Sequence, residues 1–196
     1  MKEKTMPKLG MEPIRRAALI DATIAEIGAA GSLDVTVGQI ARRAGVSSGL
    51  AHHYFGGKED ILLAAMRHVM REYAREVGKG LACADTSMAR IEAIVKGSFA
   101  ISNFRADTIA AWLNFYVLAL SSKPARRLHR IYAARLRSNL CHALRPLVGA
   151  HANDVAARTA ALIDGLYLHQ GLANVSPDGE AATRHVIQFV EHEIRG

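Results

Sequence analysis

The chain has 196 residues, half of them apolar, and 25 Lys and Arg against 18 Asp and Glu give it a net charge of +7. Its length suits one medium domain or a small domain joined to a larger one, and its charge is compatible with a polyanionic partner. Two cysteines are too few for a disulfide scaffold or a cysteine metal cluster, and no apolar run approaches the ~18 residues of a membrane span. Because no signal segment is recognisable, we expect a cytoplasmic protein without a membrane partner.

The first helix is predicted over residues 13–30. Pro13 is tolerated in a first helical turn, and Gly31 supplies a stop. Apolar residues recur along this segment at helical spacing and form one stripe. The stripe consists of Ala17, Ile20, Ile24 and Ile27.

The twenty residues 36–55 predict two short helices joined by a tight turn. From Val37, apolar residues recur at i, i+3, i+4 and i+7, which is one face of a helix. Thr36 and Gln39 have the spacing of a capping box at its start. Gly45 tolerates the left-handed backbone that ends such a helix, and Ser47 is suited to cap the next one.

The content of the second short helix favours a DNA-binding helix-turn-helix over an ordinary helical hairpin. It begins with the small and polar residues Ser47, Ser48 and Gly49 and continues to His52 and His53. A packing helix would place Leu and Ala at such positions, whereas a helix in the major groove needs close approach and polar contacts. Residues 1–10, which precede the first predicted helix, are basic. They form either a frayed terminus or an arm along DNA.

Residues 14–66 resemble the N-terminal domain of the TetR family of one-component repressors. The stretch from Gln39 to Leu62, QIARRAGVSSGLAHHYFGGKEDIL, matches the family pattern QIA-x-x-AGVS-x-G-x-x-x-HYF-x-x-K-x-x-L. The run MPKLGMEPIRR-x-x-LIDATI and the later segments AWLNFY and AALIDGLYL are similar to a narrower branch, the choline-responsive repressors of glycine-betaine synthesis genes.

The resemblance implies a regulator that binds double-stranded operator DNA and responds to a small-molecule inducer, with no other cofactor. It implies choline as the effector and betaine-synthesis genes as the target. The alternative is a repressor of another operon, for example one for efflux, with a different hydrophobic or cationic ligand. Because one helix-turn-helix makes few contacts, we expect a homodimer that reads two half-sites.

Contacts to DNA are predicted around the second short helix. Gly49 lets the backbone approach the bases, while the family resemblance implies phosphate contacts for His53, Tyr54 and Lys58. His52 stands where many relatives carry Tyr, so its base preference is not inherited. A solvated surface is the alternative for the two arginines. The predicted set is Thr36, Gln39, Arg42, Arg43, Ser47, Ser48, Gly49, His52, His53, Tyr54 and Lys58.

Six further helices are predicted beyond residue 57, which gives an all-α fold of about nine helices without strands. They cover roughly 58–77, 88–103, 107–121, 124–149, 153–171 and 180–194, with a loop at 78–87 and caps at Asp107 and Asn153. We expect residues 1–57 to form an arm and a three-helix DNA-binding domain. Residues 58–196 would then continue directly as a helical ligand-binding and dimerisation domain.

The candidate ligand site combines aromatic residues with one carboxylate. Trp112 and Tyr116 lie four apart on one helical face, and Asp164 and Tyr167 lie three apart on another helix. Aromatic faces with a compensating charge are what a quaternary ammonium ligand needs. An aromatic stripe that is simply core is the alternative, and only the family resemblance makes the cage hypothesis competitive with it.

Two other features leave alternatives open. The last two helices are the expected dimer interface, unless their apolar faces complete the monomer core; the residues are Leu162, Ile163, Gly165, Leu166, Phe189 and Val190. Residues 123–145 hold seven Lys or Arg and no Asp or Glu. This basic run is a second DNA surface, a solvated face, or the complement of the acidic C-terminal block.

No pattern in the chain indicates catalysis or metal binding. The histidines are scattered and no Cys/His cluster has ligand spacing, so we predict no metal site. A Gly-rich phosphate loop and a defensible Ser-His-Asp arrangement are both missing from the sequence. We therefore do not expect an enzyme.

Overall fold

The computed structural model describes residues 10–173 and 175–195, and that part of the chain is all-α. The all-α prediction is confirmed, with nine α-helices and one 3₁₀ turn in the described ranges and no strand there. None of these helices is both long and apolar enough to cross a membrane. The helices are α1 (Met11–Ala30), α2 (Val37–Arg43), α3 (Ser48–Phe55), α4 (Lys58–Ala82), α5 (Ser87–Ser98), α6 (Ala106–Ser121), α7 (Lys123–Val148), α8 (Ala152–Leu172) and α9 (Gly179–Arg195).

Helices α1 to α3 form an N-terminal head whose turns follow the predicted local chemistry. The Thr36 hydroxyl accepts from the Gln39 backbone N–H (3.1 Å), and Gln39 Oε1 accepts from the Thr36 N–H (2.7 Å). Gly45 has φ +67°, and Ser47 Oγ accepts from the Leu50 N–H at 3.2 Å. These bonds satisfy N–H groups that a helix start otherwise leaves without partners, which fixes where α2 and α3 begin.

Helix α4 is longer than predicted, because its glycines do not end it. It continues through the first part of the expected 78–87 loop to Ala82. A Cβ built on Gly80 would lie 2.8 Å from the Cβ of Ala93 in α5. The absence of a side chain at Gly80 therefore permits close packing of α4 on α5, in a segment that the sequence analysis placed in a loop.

Three other predicted boundaries were wrong by a few residues. The fifth helix ends at Ser98 instead of 103. Asp107 lies in the first turn of α6 and accepts from the Thr108 N–H at 2.8 Å, but Arg105 occupies the N-cap position. Asn153 lies inside α8, where its Oδ1 accepts from the Cys141 thiol at 3.1 Å. Asp107 therefore accepts a hydrogen bond one residue inside the predicted helix start, and Asn153 makes a contact between α7 and α8 instead of a cap.

Helix α6 connects the C-terminal helices to the N-terminal head. A Cβ on Gly28 of α1 would lie 2.6 Å from the Asp107 Cβ, so the two helices touch through their backbones. The Asn114 amide donates to the Gly31 carbonyl (3.3 Å), and Ser122, which follows α6, donates to Glu59 Oε1 in α4 (2.5 Å). Contacts along its whole length therefore tie α6 to the end of α1 and the base of α4.

Candidate DNA interface and ligand site

The predicted DNA-contact residues come from α2, α3 and the first residue of α4, which pack against one another in sequence order. Gln39 and Tyr54 are half-buried, and the other members of the set are exposed. The buried side of α2 and α3 consists of Ile40, Ala41 and Ala51, which anchor the two helices to the head. The polar side is therefore left at the surface.

Gly49 has no packing role inside the protomer. A Cβ built at this position would meet no atom within 4 Å. A glycine inside a helix is less favourable than alanine by about 1 kcal/mol, so a reason outside the protomer is needed for it. Close approach of the helix backbone to a partner is such a reason.

His52 is held by a local hydrogen bond. Its Nδ1 lies 2.8 Å from the Gly56 carbonyl oxygen at the end of α3. Because a carbonyl can only accept, Nδ1 carries the proton, and Nε2 of the neutral ring is then an acceptor. This arrangement fixes the tautomer of an exposed ring in the variable reading position.

The two arginines of α2 have different surroundings. Arg43 Nε lies 2.5 Å from Glu26 Oε1 of α1, so Arg43 ties α2 to α1. Arg42 makes no ion pair within the described part of the chain. Of the two, Arg42 is the one whose charge is left for a phosphate.

Arg16 was missed by sequence reasoning. Its guanidinium lies over the rings of Tyr54 (5.1 Å) and Phe55 (5.2 Å), which are cation–π distances. A single Arg on α1 gives no sequence signal for this contact. It places a cation beside Tyr54. The proposed arm lies almost wholly in residues 1–9, outside the described residues.

On the ligand side, three predicted residues form one chain of hydrogen bonds. Trp112 Nε1 donates to the Tyr116 hydroxyl (2.7 Å), which donates to Asp164 Oδ1 (2.9 Å). The pairing of α6 with α8 creates this chain, although 48 residues separate Tyr116 from Asp164. The indole, the phenol and the carboxylate therefore lie side by side.

Two tyrosines that sequence reasoning missed complete an aromatic box, defined as Tyr73, Trp112, Tyr116, Tyr132 and Asp164. The Tyr132 ring lies 4.7 Å from that of Trp112 and 5.5 Å from that of Tyr73, both edge-on. They come from α7 and α4 and are buried. Each is a single Tyr in a helix rich in polar residues. The only sequence signal for either was its position on the buried face of that helix.

Tyr167 points to a neighbouring cluster. Its ring packs against Phe99 (5.9 Å) and Phe104 (5.0 Å), and its hydroxyl donates to the Ser98 carbonyl at 2.5 Å. The predicted ligand residue is thus close to the box but engaged with its own partners.

The charge of the box depends on Asp164. Burial raises the pKa of this carboxyl above its ordinary value, while the Tyr116 hydrogen bond and the nearby His129 act in the opposite direction. Burial raises the pKa of Tyr73 to about 12, and burial followed by the Asp164 charge raises that of Tyr116. The tyrosines therefore stay neutral at physiological pH. The same burial partly desolvates the Asp164 carboxylate whenever it is ionised.

One polar atom of the box is unsatisfied. The Tyr73 hydroxyl is buried and makes no hydrogen bond within 3.5 Å among the described residues, although the nearby Ser98 side chain lowers its pKa. Buried hydroxyls in native structures generally have a partner, so an exception next to a candidate site invites a functional reason. A hydroxyl group on a bound molecule would supply the missing partner.

The expected dimer surface is partly corrected. Ile163 and Val190 are fully buried within the protomer, so they complete its own core and are unavailable to a partner. Leu162, Leu166 and Phe189 are half-buried. The large apolar side chains that face outward include Leu168 (46% exposed) and Leu172 (73%) on α8 and Val175 (70%) after it, together with Val117 (62%) and Leu120 (77%) on α6.

The basic run, residues 123–145, lies within α7. Arg126 donates to the Ala119 and Leu120 carbonyls (3.1 and 2.5 Å) and thereby caps the end of α6. Among the described residues, the ion pairs of the acidic C-terminal block are those of Asp154 and Glu193 with Arg158 and of Glu191 with Arg195, and none involves the run. Neutralisation of the acidic block is therefore not the role of the basic run within the protomer.

The described residues 10–173 and 175–195 include no group of three or more His, Cys, Asp and Glu suited to a metal ion.

Comparison with known proteins identifies the family. A family model described as BetI-type transcriptional repressor, C-terminal, matches residues 87–195, and one for bacterial regulatory proteins of the tetR family matches residues 19–65. The chain belongs to the TetR family. It is a DNA-binding transcriptional repressor with a BetI-type C-terminal domain, and its family is one of regulators, not enzymes.

Full-length relatives agree with this assignment. The HTH-type transcriptional regulator BetI of Brucella melitensis biotype 2 is 50% identical over 192 residues, which is 97% of each chain. The protein of that name in Rhizobium meliloti is 44% identical over 97% of this chain and 94% of its own. These TetR-family relatives therefore share both domains with the present chain.

Solved structures share the fold. A transcriptional regulator of Pseudomonas aeruginosa PAO1 superposes with a TM-score of 0.80 at 26% identity, over 94% of this chain and 92% of that one. A transcriptional regulator of Saccharomonospora viridis, solved in complex with choline, has a TM-score of 0.79 at 23% identity, over 92% and 97%. The second similarity concerns the fold alone.

Proposed function

We propose that this repressor controls glycine-betaine synthesis genes and that choline, bound in the aromatic box, is its effector. The observation that carries the proposal is the half-buried hydrogen-bond chain from Trp112 through Tyr116 to Asp164. The BetI name of the relatives supports the target, and choline in the S. viridis structure supports the ligand.

The box offers what each part of choline needs. The faces of Trp112 and Tyr132 attract a quaternary ammonium, with about 0.5–2 kcal/mol for each cation–π contact. Asp164 supplies the opposite charge. The unpartnered Tyr73 hydroxyl can pair with the choline hydroxyl. One ligand would thus use the aromatic, charged and polar groups together.

Binding requires the box to open. The rings contact one another, and Asp164 is engaged by Tyr116. A cation that reaches Asp164 therefore displaces the Tyr116 hydroxyl, which loosens α6 from α8. Only such a difference in contacts between two states lets a ligand shift a conformational equilibrium.

Helix α6 would transmit this change to the DNA-binding head. Its hydrogen bonds to Gly31 and Glu59 reach the end of α1 and the base of α4, one residue from Lys58. Two heads must keep a separation of about 34–36 Å to fit successive major grooves. A coupling free energy of about 1–3 kcal/mol would change operator affinity by about 5–150-fold.

The proposal includes the division at residue 57 and a homodimer formed through α8. Leu168 and Leu172 supply outward apolar surface, and a Cβ on Gly165 would meet nothing within 4 Å inside the protomer. A two-fold interface lets the same surface meet its copy. Gly165 then permits close approach of the two helices.

Isothermal titration calorimetry with choline, tetramethylammonium and larger hydrophobic cations tests the ligand. We expect choline to bind the wild type and to lose affinity in Trp112→Leu, while Arg137→Gln on the outer face of α7 serves as a control. Gel shifts with DNA upstream of betaine-synthesis genes test the target. No choline binding, with tight binding of a larger cation, would indicate a repressor of another operon.

A further inference from the structure

A second cleft lies where the N-terminal head meets the rest of the protein. It has a volume of about 370 Å³ and is walled by α1, α4 and the connection from α5 to α6. We call it the junction cleft. Its polar or charged lining residues include Asp21, His68, Glu72, Asn103, Arg105 and Asp107.

The junction cleft carries an excess of negative charge. Arg105 pairs with Asp107 through Nε–Oδ1 (3.1 Å) and Nη2–Oδ2 (2.5 Å) contacts, so these two charges balance, and the Asp21 carboxylate also acts on Arg105. Glu72 pairs with Arg75, which is not part of the lining. Asp21 forms no ion pair within residues 10–173 and 175–195. Once both ion pairs are counted, the charge of Asp21 is left, and it favours a cation.

Asn103 adds an independent indication of a ligand. The residue is only 2% exposed, and its Nδ2 donates weakly to the Gly97 carbonyl at 3.5 Å. Its Oδ1 has no hydrogen-bond donor within the described structure. Leaving a buried acceptor without a donor is unfavourable, so a donor at this position would stabilise the site.

We propose that the junction cleft binds a small organic cation with N–H donors, such as a primary ammonium compound. An N–H group would satisfy Asn103 Oδ1, and its charge would face Asp21 and Glu72. Ile24 and Val69 provide an apolar wall for methylene groups. A quaternary ammonium has no N–H to offer, so the chemistry of this cleft differs from that of the aromatic box.

The occupant would join two parts of the protein. Asp21 belongs to α1, Glu72 to α4 and Asn103 to the connection before α6. The same region holds the backbone contact between Gly28 and Asp107. A molecule bound to all three elements stabilises the arrangement of head and ligand domain seen here, and thereby raises the melting temperature.

Ethanolamine and choline form a matched pair of probes, because both carry a hydroxyethyl group but only ethanolamine has N–H donors. Titration into Asp164→Asn, in which the charge of the box is removed, isolates the junction cleft. We expect this variant to bind ethanolamine more tightly than choline. Asn103→Leu in the same background should weaken ethanolamine binding by about tenfold.

A double variant, Asp21→Asn with Glu72→Gln, should also weaken ethanolamine binding by about tenfold, and Asp85→Asn outside the cleft serves as its control. Neither set of changes should alter choline binding in the otherwise wild-type protein, so failure of the box and failure of the cleft are distinguishable. If Asn103→Leu does not fold, the double variant decides. The proposal is wrong if ethanolamine does not bind, or binds all variants equally.

Discussion

The hydroxyl of Tyr116 on α6 donates a 2.9 Å hydrogen bond to Asp164 on α8 and so closes the aromatic box. The bond holds together the helix that reaches the DNA-binding head and the helix with exposed apolar surface for a partner. It also occupies the only carboxylate of the box as we have defined it. In the function proposed above, ligand binding, domain coupling and dimer contact therefore meet at one hydrogen bond.

Asp164→Asn tests the charge in the box. We expect choline affinity to fall by about 10–100-fold, since a buried carboxylate that pairs with a cation is replaced by a neutral amide. Stability at neutral pH should not fall, because the raised pKa of Asp164 shows that its ionised form is disfavoured in the folded protein. Calorimetry and thermal unfolding measure the two quantities. Loss of stability together with binding would indicate a structural role instead.

The raised pKa of Asp164 also predicts opposite pH trends in stability and binding. Above the ordinary value of 3.8, the folded protein keeps this proton longer than the unfolded chain, so stability falls as pH rises through the folded-state pKa. Choline affinity should rise over the same interval because the cation needs the carboxylate. Urea unfolding and calorimetry between pH 4 and 8 measure both trends.

Asp164→Asn is the control for those trends. It should remove the part of the stability trend that Asp164 contributes and flatten the pH dependence of choline affinity, because the amide does not titrate. Choline affinity independent of pH in the wild type would contradict the assignment of Asp164.

The hydrogen bonds of Asn114, in the middle of α6, and of Ser122, at its C-terminal end, should control coupling without controlling ligand affinity. Asn114→Ala and Ser122→Ala remove the bonds to Gly31 and Glu59, which lie outside the box. We expect choline to bind both variants as it binds the wild type, but to change operator affinity less. Calorimetry and gel shifts with and without choline measure the two effects. Ser138→Ala on the exposed side of α7 is a matched control, and an unchanged choline response would exclude this route.

Two glycines of α4 should respond in opposite directions to alanine. A Cβ at Gly78 would meet no atom within 4 Å, so Gly78→Ala should stabilise the protein by up to about 1 kcal/mol through helix propensity. A Cβ at Gly80 would lie 2.8 Å from that of Ala93, so Gly80→Ala should destabilise it by about 1–3 kcal/mol. Urea unfolding provides both free energies. Equal effects would mean that α4 and α5 do not pack this closely.

The glycines also indicate what the sequence was able to predict. The capping box of Thr36 and Gln39 was correctly anticipated because its two partners are three residues apart and fix each other locally. Gly80 was placed in a loop because the contact that requires a glycine there is made with Ala93 of α5, which the local sequence does not reveal. Tyr73 and Tyr132 were missed for the same reason, since only the packing of α4 and α7 against α6 brings them to Trp112. Local signals therefore predicted the helix-turn-helix geometry far better than the contacts that assemble the aromatic box.

Gly49→Ala separates stability from DNA binding. Because a Cβ at this position meets no atom within 4 Å of the protomer, alanine should raise the free energy of unfolding by up to about 1 kcal/mol. Operator affinity should nevertheless fall by about tenfold, since the added methyl keeps the start of α3 away from the bases. Gly165→Ala is the matched control on α8, with similar free space in the protomer and an expected effect on dimerisation instead of on half-site contacts. Urea unfolding, gel shifts at fixed salt and analytical ultracentrifugation distinguish these outcomes. A Gly49→Ala protein that is more stable and binds the operator as tightly as the wild type would remove Gly49 from the DNA interface.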